Sequence, residues 1–188
     1  MLGITGPPGA GKTTLAEDIA ALVNERRGVR FAVVAPLDGF HLPNAVLDER
    51  GLRAVKGAPQ TFDCEGYLRL LSRVRQEPAE TTLWPAFERA LDERTAAAIV
   101  IAPPTRLVVT EGNYLLVEGP CWRRVRALLD EAWYVDAPRE VLRARLIARA
   151  IAYGRTEEEA TRHVDGSDLP NADLVAAARR LAARVVET

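Results

Sequence analysis

Apolar residues along this chain follow two rhythms, and their alternation lays out a succession of strands and helices. "MLGIT" (1–5) is a short apolar run that stops at a glycine-rich turn. From Thr13 to Arg27 the apolar positions Leu15, Ile19, Leu22 and Val23 recur at helical spacing, which predicts an amphipathic helix ended by Gly28. "VRFAVVAP" (29–36) is continuously apolar, as expected of a strand buried on both faces of a parallel sheet. Strand, helix and strand over about 35 residues make a βαβ unit, whose crossover forces the two strands to be parallel.

Residues 41–62 carry Pro43, Gly51, Gly57 and Pro59 and read as a loop with one helical turn near 44–50. Tyr67, Leu70, Leu71 and Val74 predict a helix over 64–76. "AAAIVIA" and "RLVVTEG" are separated only by Pro103, Pro104 and Thr105, too few residues for a crossover. Residues 97–102 and 106–110 are therefore expected to form an antiparallel hairpin attached to the sheet. A helix near 120–129 follows, then a strand over 132–137, then a long helix from Pro138 to about Tyr153. Thr156 and Glu159 have capping-box spacing for a short helix over 157–164. A last helix is expected over 171–182, with a small strand in "ARVVE". The pattern predicts one three-layer α/β/α domain over 1–188, built on a mainly parallel sheet.

Composition narrows the class. A chain of 188 residues with 48% hydrophobic residues can bury one core, and a net charge of −1 gives no support to a general nucleic-acid or anionic-membrane binder. No apolar run approaches the ~20 residues that span a bilayer, and the N-terminus lacks the order of a signal peptide. Cys64 and Cys121 have no metal-ligand spacing, so reduced thiols in a cytoplasmic protein are expected. Nothing in the sequence chooses between monomer and homodimer. Only two of the 25 basic residues are lysine, Lys12 and Lys56, which directs attention to where a compact ammonium is required.

Lys12 stands in "GPPGAGKT" (6–13), which satisfies G-x-x-x-x-G-K-[ST] and lies between a strand and a helix. Gly6, Pro7, Pro8, Gly9, Ala10 and Gly11 would turn successive N–H groups toward one concavity, with the helix N-terminus aimed at it. Lys12 would reach the β- and γ-phosphates of ATP, Thr13 would ligate Mg²⁺, and Thr14 would complete the cradle. Ligands of open parallel sheets bind beyond the strands' carboxyl ends, where Asp38, Glu111 and Asp136 stand. Glu111 is placed to hold Mg²⁺ or its water, and Asp38 to accept a proton from an incoming hydroxyl or to bind that water. Which of the two is the dominant metal-side carboxylate stays open. Gly39 is expected to let the backbone turn after Asp38, and Phe40 and His41 to begin an acceptor pocket. Asp136 reads as a helix cap. No guanine-reading N-K-x-D motif is present.

Together, "GITGPPGAGKTTLA", "LDGFHLPNAVL", "KGAPQTFD", "PAFERALDE" and "EGNYLL" resemble the phosphoribulokinase/uridine kinase family of P-loop kinases. The similarity runs in order over nearly the whole chain. It is nearest to bacterial members of nucleoside-kinase-like, pantothenate-kinase-like and fructose-transport-kinase-like type. The resemblance implies a P-loop fold with a helical lid over about 142–165 and transfer of the γ-phosphate of Mg²⁺·ATP to a hydroxyl. It makes Asp38 the candidate base, puts Lys56, Asp63 and Arg89 on the acceptor side and Glu111 on the Mg²⁺ side; Asp63 reads equally as the cap of the helix that follows it. Arg145 and Arg149, one turn apart on a helix, match lid arginines that close over the phosphates. Glu88 and the "CW" at 121–122 depart from the family pattern and touch only the acceptor side. The rival reading is a nucleotide-binding regulatory module without phosphotransfer.

Overall fold

Short apolar stretches with few polar interruptions become the parallel strands, and the structure, a computed structural model that describes all 188 residues, arranges them as one sheet. β1 (Leu2–Thr5), β2 (Ala32–Pro36), β5 (Leu107–Glu111), β6 (Glu131–Asp136) and β7 (Arg184–Glu187) lie in the order β2-β5-β1-β6-β7. Every neighbouring pair is parallel. The register sets Glu111 opposite Ile4 of β1 and Pro36 of β2. The chain therefore leaves β1, β5 and β2 side by side at one edge of the sheet, and that edge positions the site.

Helices cover both faces, because strands with no polar alternation must be buried twice. On one face α3 (Cys64–Gln76) and α4 (Pro120–Ala127) bury Tyr67, Leu71, Trp122 and Val125. On the other, α1 (Lys12–Arg27) and α5 (Arg139–Ala152) bury Ala16, Leu142 and Leu146 against Ile4, Val109 and Val135. α2 (Asn44–Glu49) is the short turn expected in the 41–62 loop. α6 (Glu157–His163) carries the expected capping box, with Thr156 and Glu159 satisfying each other's backbone N–H groups. It continues through a π-helical turn, Val164–Asp168, into α7 (Leu169–Ala176), which ends earlier than the 171–182 expectation. No helix is long and apolar enough to cross a membrane.

The structure corrects the expected hairpin. Residues 97–102 do form a strand, β4 (Glu93–Ile101), but its antiparallel partner is the upstream β3 (Thr82–Glu88), and the pair is a separate two-stranded sheet. β5 instead enters the main sheet between β1 and β2. β3 escaped notice because Pro85 interrupts it, and the register shifts there between Trp84 and Ala86, as a proline inside a ladder requires. Trp84 anchors the pair. It is fully buried, 5.0 Å from the Phe40 ring and 5.6 Å from Tyr67, and its Nε1 donates to Pro36 O at 2.9 Å.

Two further expectations change. Cys64 and Cys121 are joined in a disulfide across 57 residues. They head α3 and α4, whose packing brings their Cα atoms to 6.3 Å, so the reduced-thiol reading does not hold. Asp136 does not cap α5. It accepts from Ala137 N at 3.0 Å and pairs with Arg179 at 2.9 Å, while Pro138 occupies the cap position.

Gly39 also has a different reason to be glycine. Its backbone is not left-handed, but a Cβ there would meet Pro85 O at 2.2 Å. The 3₁₀ turn bearing Asp38 (Leu37–Phe40) lies directly on β3. Gly39→Ala must therefore push turn and strand apart, and it should lower unfolding stability by about 1–3 kcal/mol in urea titration. An unchanged midpoint would refute this contact.

Candidate active site

The P-loop follows from local chemistry before any ligand is considered. At Gly6 the loop leaves β1 with φ near +147°, and a Cβ would lie 2.2 Å from Val135 O of β6, so this position excludes every side chain. Gly11 is the N-cap of α1 in the left-handed conformation, with no side-chain acceptor and no acid in the first turn. The first N–H groups of α1 are thus left for an anion rather than for the protein itself. Pro7 O accepts the Lys12 ammonium at 2.9 Å, and Ala10 is fully buried behind the loop.

Lys12, Thr13 and Glu111 form the centre. Glu111 is 4% exposed and accepts from the Thr13 hydroxyl at 3.2 Å. Burial raises its pKa to about 7; Asp38 pushes the same way, and Lys12 opposes them. Burial lowers Lys12 to about 8, against the attraction of Glu111 and Asp38. The Thr13 hydroxyl and the Glu111 carboxylate are hard oxygen donors side by side, and no group of three or more metal-ligating side chains exists. This set fits Mg²⁺, which takes one or two protein oxygens and keeps phosphate and water for the rest.

These residues open onto a cavity of about 1080 Å³, and most of the residues expected from the sequence line it. Pro8, Gly9, Gly11 and Thr14 line it together with Asp38, His41, Lys56 and Arg89 and with Arg145 and Arg149 of α5. Asp38 pairs with Arg89 at 3.2 Å. His41 packs its ring 4.0 Å from Phe62 and 4.7 Å from Phe87, and its burial lowers its pKa, so it is neutral near pH 7. Arg145 donates to Gly9 O at 3.4 Å and to Thr188 Oγ1 at 3.2 Å, holding α5 on the P-loop. Desolvation within the cavity holds Arg149 below the usual guanidinium range, and Arg89 adds to the effect.

Two residues expected on the acceptor side lie elsewhere. Phe40 is buried in the core against Tyr67 and Trp84 and does not line the cavity. Asp63 also stays off the cavity wall, and its carboxylate caps α3 by accepting from Gly66 N at 2.8 Å. Conversely, Arg53, Asp92, Asn113, His163 and Asp168 line the cavity without having been singled out. Asn113 could have been found as the third residue of "EGN", directly after Glu111. His163 and Asp168 could not, because the π-helical turn between them sets which way they face.

The pH dependence follows with opposite signs. The native state keeps a proton on Glu111 that the unfolded chain gives up above 4.5, so this group's contribution to stability falls from about pH 4.5 to 7. Lys12 loses its proton near 8 in the native state and near 10.5 unfolded, so its contribution rises over that window. The urea midpoint of the ligand-free protein should fall between about pH 5 and 7, and Glu111→Gln should remove most of that fall. An equal slope in the variant would contradict the assignment.

No protein-family model matches the chain. A Schizosaccharomyces pombe protein provisionally named a uridine kinase is 33% identical over 181 residues, covering 93% of this chain and 77% of its own. An uncharacterised protein of Escherichia coli K12, YggC, is 34% identical over 184 residues, covering 98% and 76%. Among solved structures, one from Silicibacter sp. TM1040, provisionally named a fructose transport system kinase, is 38% identical with a TM-score of 0.90. That alignment covers 98% of this chain and 87% of the other.

Proposed function

Because the chain belongs to the phosphoribulokinase/uridine kinase family of P-loop kinases, we propose that it transfers the γ-phosphoryl group of ATP to a hydroxyl of a small metabolite. One observation carries the reading. The phosphate cradle and Asp38, which is partnered only by Arg89, open onto the same cavity. A phosphate-binding loop alone would suit any nucleotide-binding protein; a carboxylate across from it, on a different strand end, suits an acceptor.

Each residue then has a role. Bound Mg²⁺·ATP supplies the electrophilic γ-phosphoryl group, and Thr13 and Glu111 would hold the metal. The α1 N-terminus and Lys12 receive phosphate charge, which favours the protonated ammonium that burial disfavours. Asp38 orients the acceptor hydroxyl and takes its proton as the oxygen attacks phosphorus. Arg145 and Arg149, on α5, have no carboxylate partner and would fork onto the oxygens over which charge spreads in transfer. Residues of α5 and α6 line the cavity, and closure of these helices over bound ATP would exclude water that otherwise hydrolyses it.

Asp38→Asn keeps the shape but cannot take the proton. ADP release, followed across sugars, nucleosides and pantothenate-like acids, should show acceptor-dependent turnover in the wild type. That turnover should fall by about 10²–10⁴ in the variant, with Mg²⁺·ATP affinity little changed. If no acceptor raises ADP release above basal hydrolysis, the protein is a nucleotide-binding module without phosphotransfer.

A further inference from the structure

Charges around the cavity are paired on one side and free on the other. Arg145, Arg149 and Arg155, on the lid side, line the cavity and form no ion pair with any carboxylate within 4.0 Å. On the acceptor side every cation already has a carboxylate. Arg89 pairs with Asp38 at 3.2 Å, Lys56 with Asp92 at 3.0 Å, and Arg53 with Asp48 at 3.4 Å and Asp92 at 3.7 Å. Three cations meet three carboxylates.

Lys56 is the most fully committed. Its ammonium donates to Asn44 Oδ1 at 2.7 Å and to the backbone oxygen of Asp92, and it forms an ion pair with the Asp92 carboxylate at 3.0 Å. It lies 5.0 Å from the centre of the Phe87 ring, and its side chain is only 10% exposed. Asn44 completes the latch by donating from Nδ2 to Asp92 O. Lys56 therefore clamps the tip of the β3–β4 hairpin onto the 44–57 loop, with its charge already met by Asp92. The remaining wall of this half, His41, Phe62 and Phe87, carries no charge near neutral pH.

We propose that the acceptor is an uncharged polyhydroxyl compound, a sugar or nucleoside, and that Asp92 is a specificity-determining residue that excludes carboxylate- and phosphate-bearing alternatives. The proposal rests on the kinase reading and narrows it. On this side an anion meets only cations that already hold a carboxylate, Lys56 and Arg53 with Asp92 and Arg89 with Asp38. Each of those carboxylates stays beside the incoming anion, and like charges so placed repel. Hydroxyl groups face no such conflict. They can donate to the free lone pairs of carboxylates that keep their ion pairs, and the apolar faces of a sugar or base suit the aromatic wall. The three free arginines remain for the nucleotide phosphates.

The test uses matched compounds that differ by one charged group: ribose and ribose 5-phosphate, glucose and gluconate, uridine and uridine 5′-monophosphate, pantothenyl alcohol and pantothenate. ADP release with Mg²⁺·ATP should show kcat/KM at least about 100-fold higher for the neutral member of every pair that is turned over. Asp92→Asn suits the left-handed backbone at this position (φ 49°) and removes the negative charge that Lys56 and Arg53 share. It should raise kcat/KM for the anionic members by about tenfold or more while lowering it for the neutral ones. An anionic member preferred by the wild type would overturn this inference and leave the kinase reading standing. An unchanged ratio in Asp92→Asn would overturn the role of Asp92. Turnover of no member of any pair would remove both readings together.

Discussion

A carboxylate and an ammonium buried beneath one glycine-rich loop are the constraint on which the rest of this molecule depends. Glu111 and Lys12 are each under a tenth exposed, and burial works against the charge of both. Such a pair is weak evidence of stability, since removing two charges from water costs more than their attraction returns in many settings. It is retained where charge is needed at a fixed point. The strand order supplies that point: β5 lies between β1 and β2, so its last residue, Glu111, meets the start of the P-loop on one side and the strand leading to Asp38 on the other.

The acceptor side is built differently, from packing rather than from the sheet. The turn bearing Asp38 lies so close to β3 that Gly39 has no room for a methyl group. Trp84 then pins β3 to Pro36 and to the Phe40–Tyr67 cluster. Arg89, just past the end of β3, reaches back to Asp38, and the hairpin tip is tied down by Asn44 and Lys56. The small sheet thus delivers both the partner of the candidate base and the wall of the acceptor half, so that core packing and substrate choice are set by the same element.

What could be read from the sequence is what depends on nearby residues. The first βαβ unit, the P-loop, the capping box at Thr156 and the strand ending in Glu111 all follow from patterns within a short stretch of chain, and the structure has each of them. The failures concern partners far along the chain. β4 and β5 are adjacent in sequence, yet one pairs with β3 and the other with β1 and β2. The Cys64–Cys121 bond needs α3 and α4 to be packed before it can be seen. Side-chain direction was equally hidden: Phe40 and His41 are neighbours in "DGFH", but one points into the core and the other onto the cavity. Lys56 was noticed for being rare, while its role as a latch depends on a hairpin tip that the sequence did not reveal.

The account's central claim is that the buried charges at Lys12 and Glu111 are completed by the metal and phosphates of a nucleotide. Calorimetric titration with Mg²⁺·ADP near pH 7, in two buffers of different ionisation enthalpy, measures the protons exchanged on binding. A cation beside Glu111 must drive off the proton that burial holds there, so the account predicts net proton release, lost in Glu111→Gln. Binding without proton exchange, or with the same release in the variant, would contradict it.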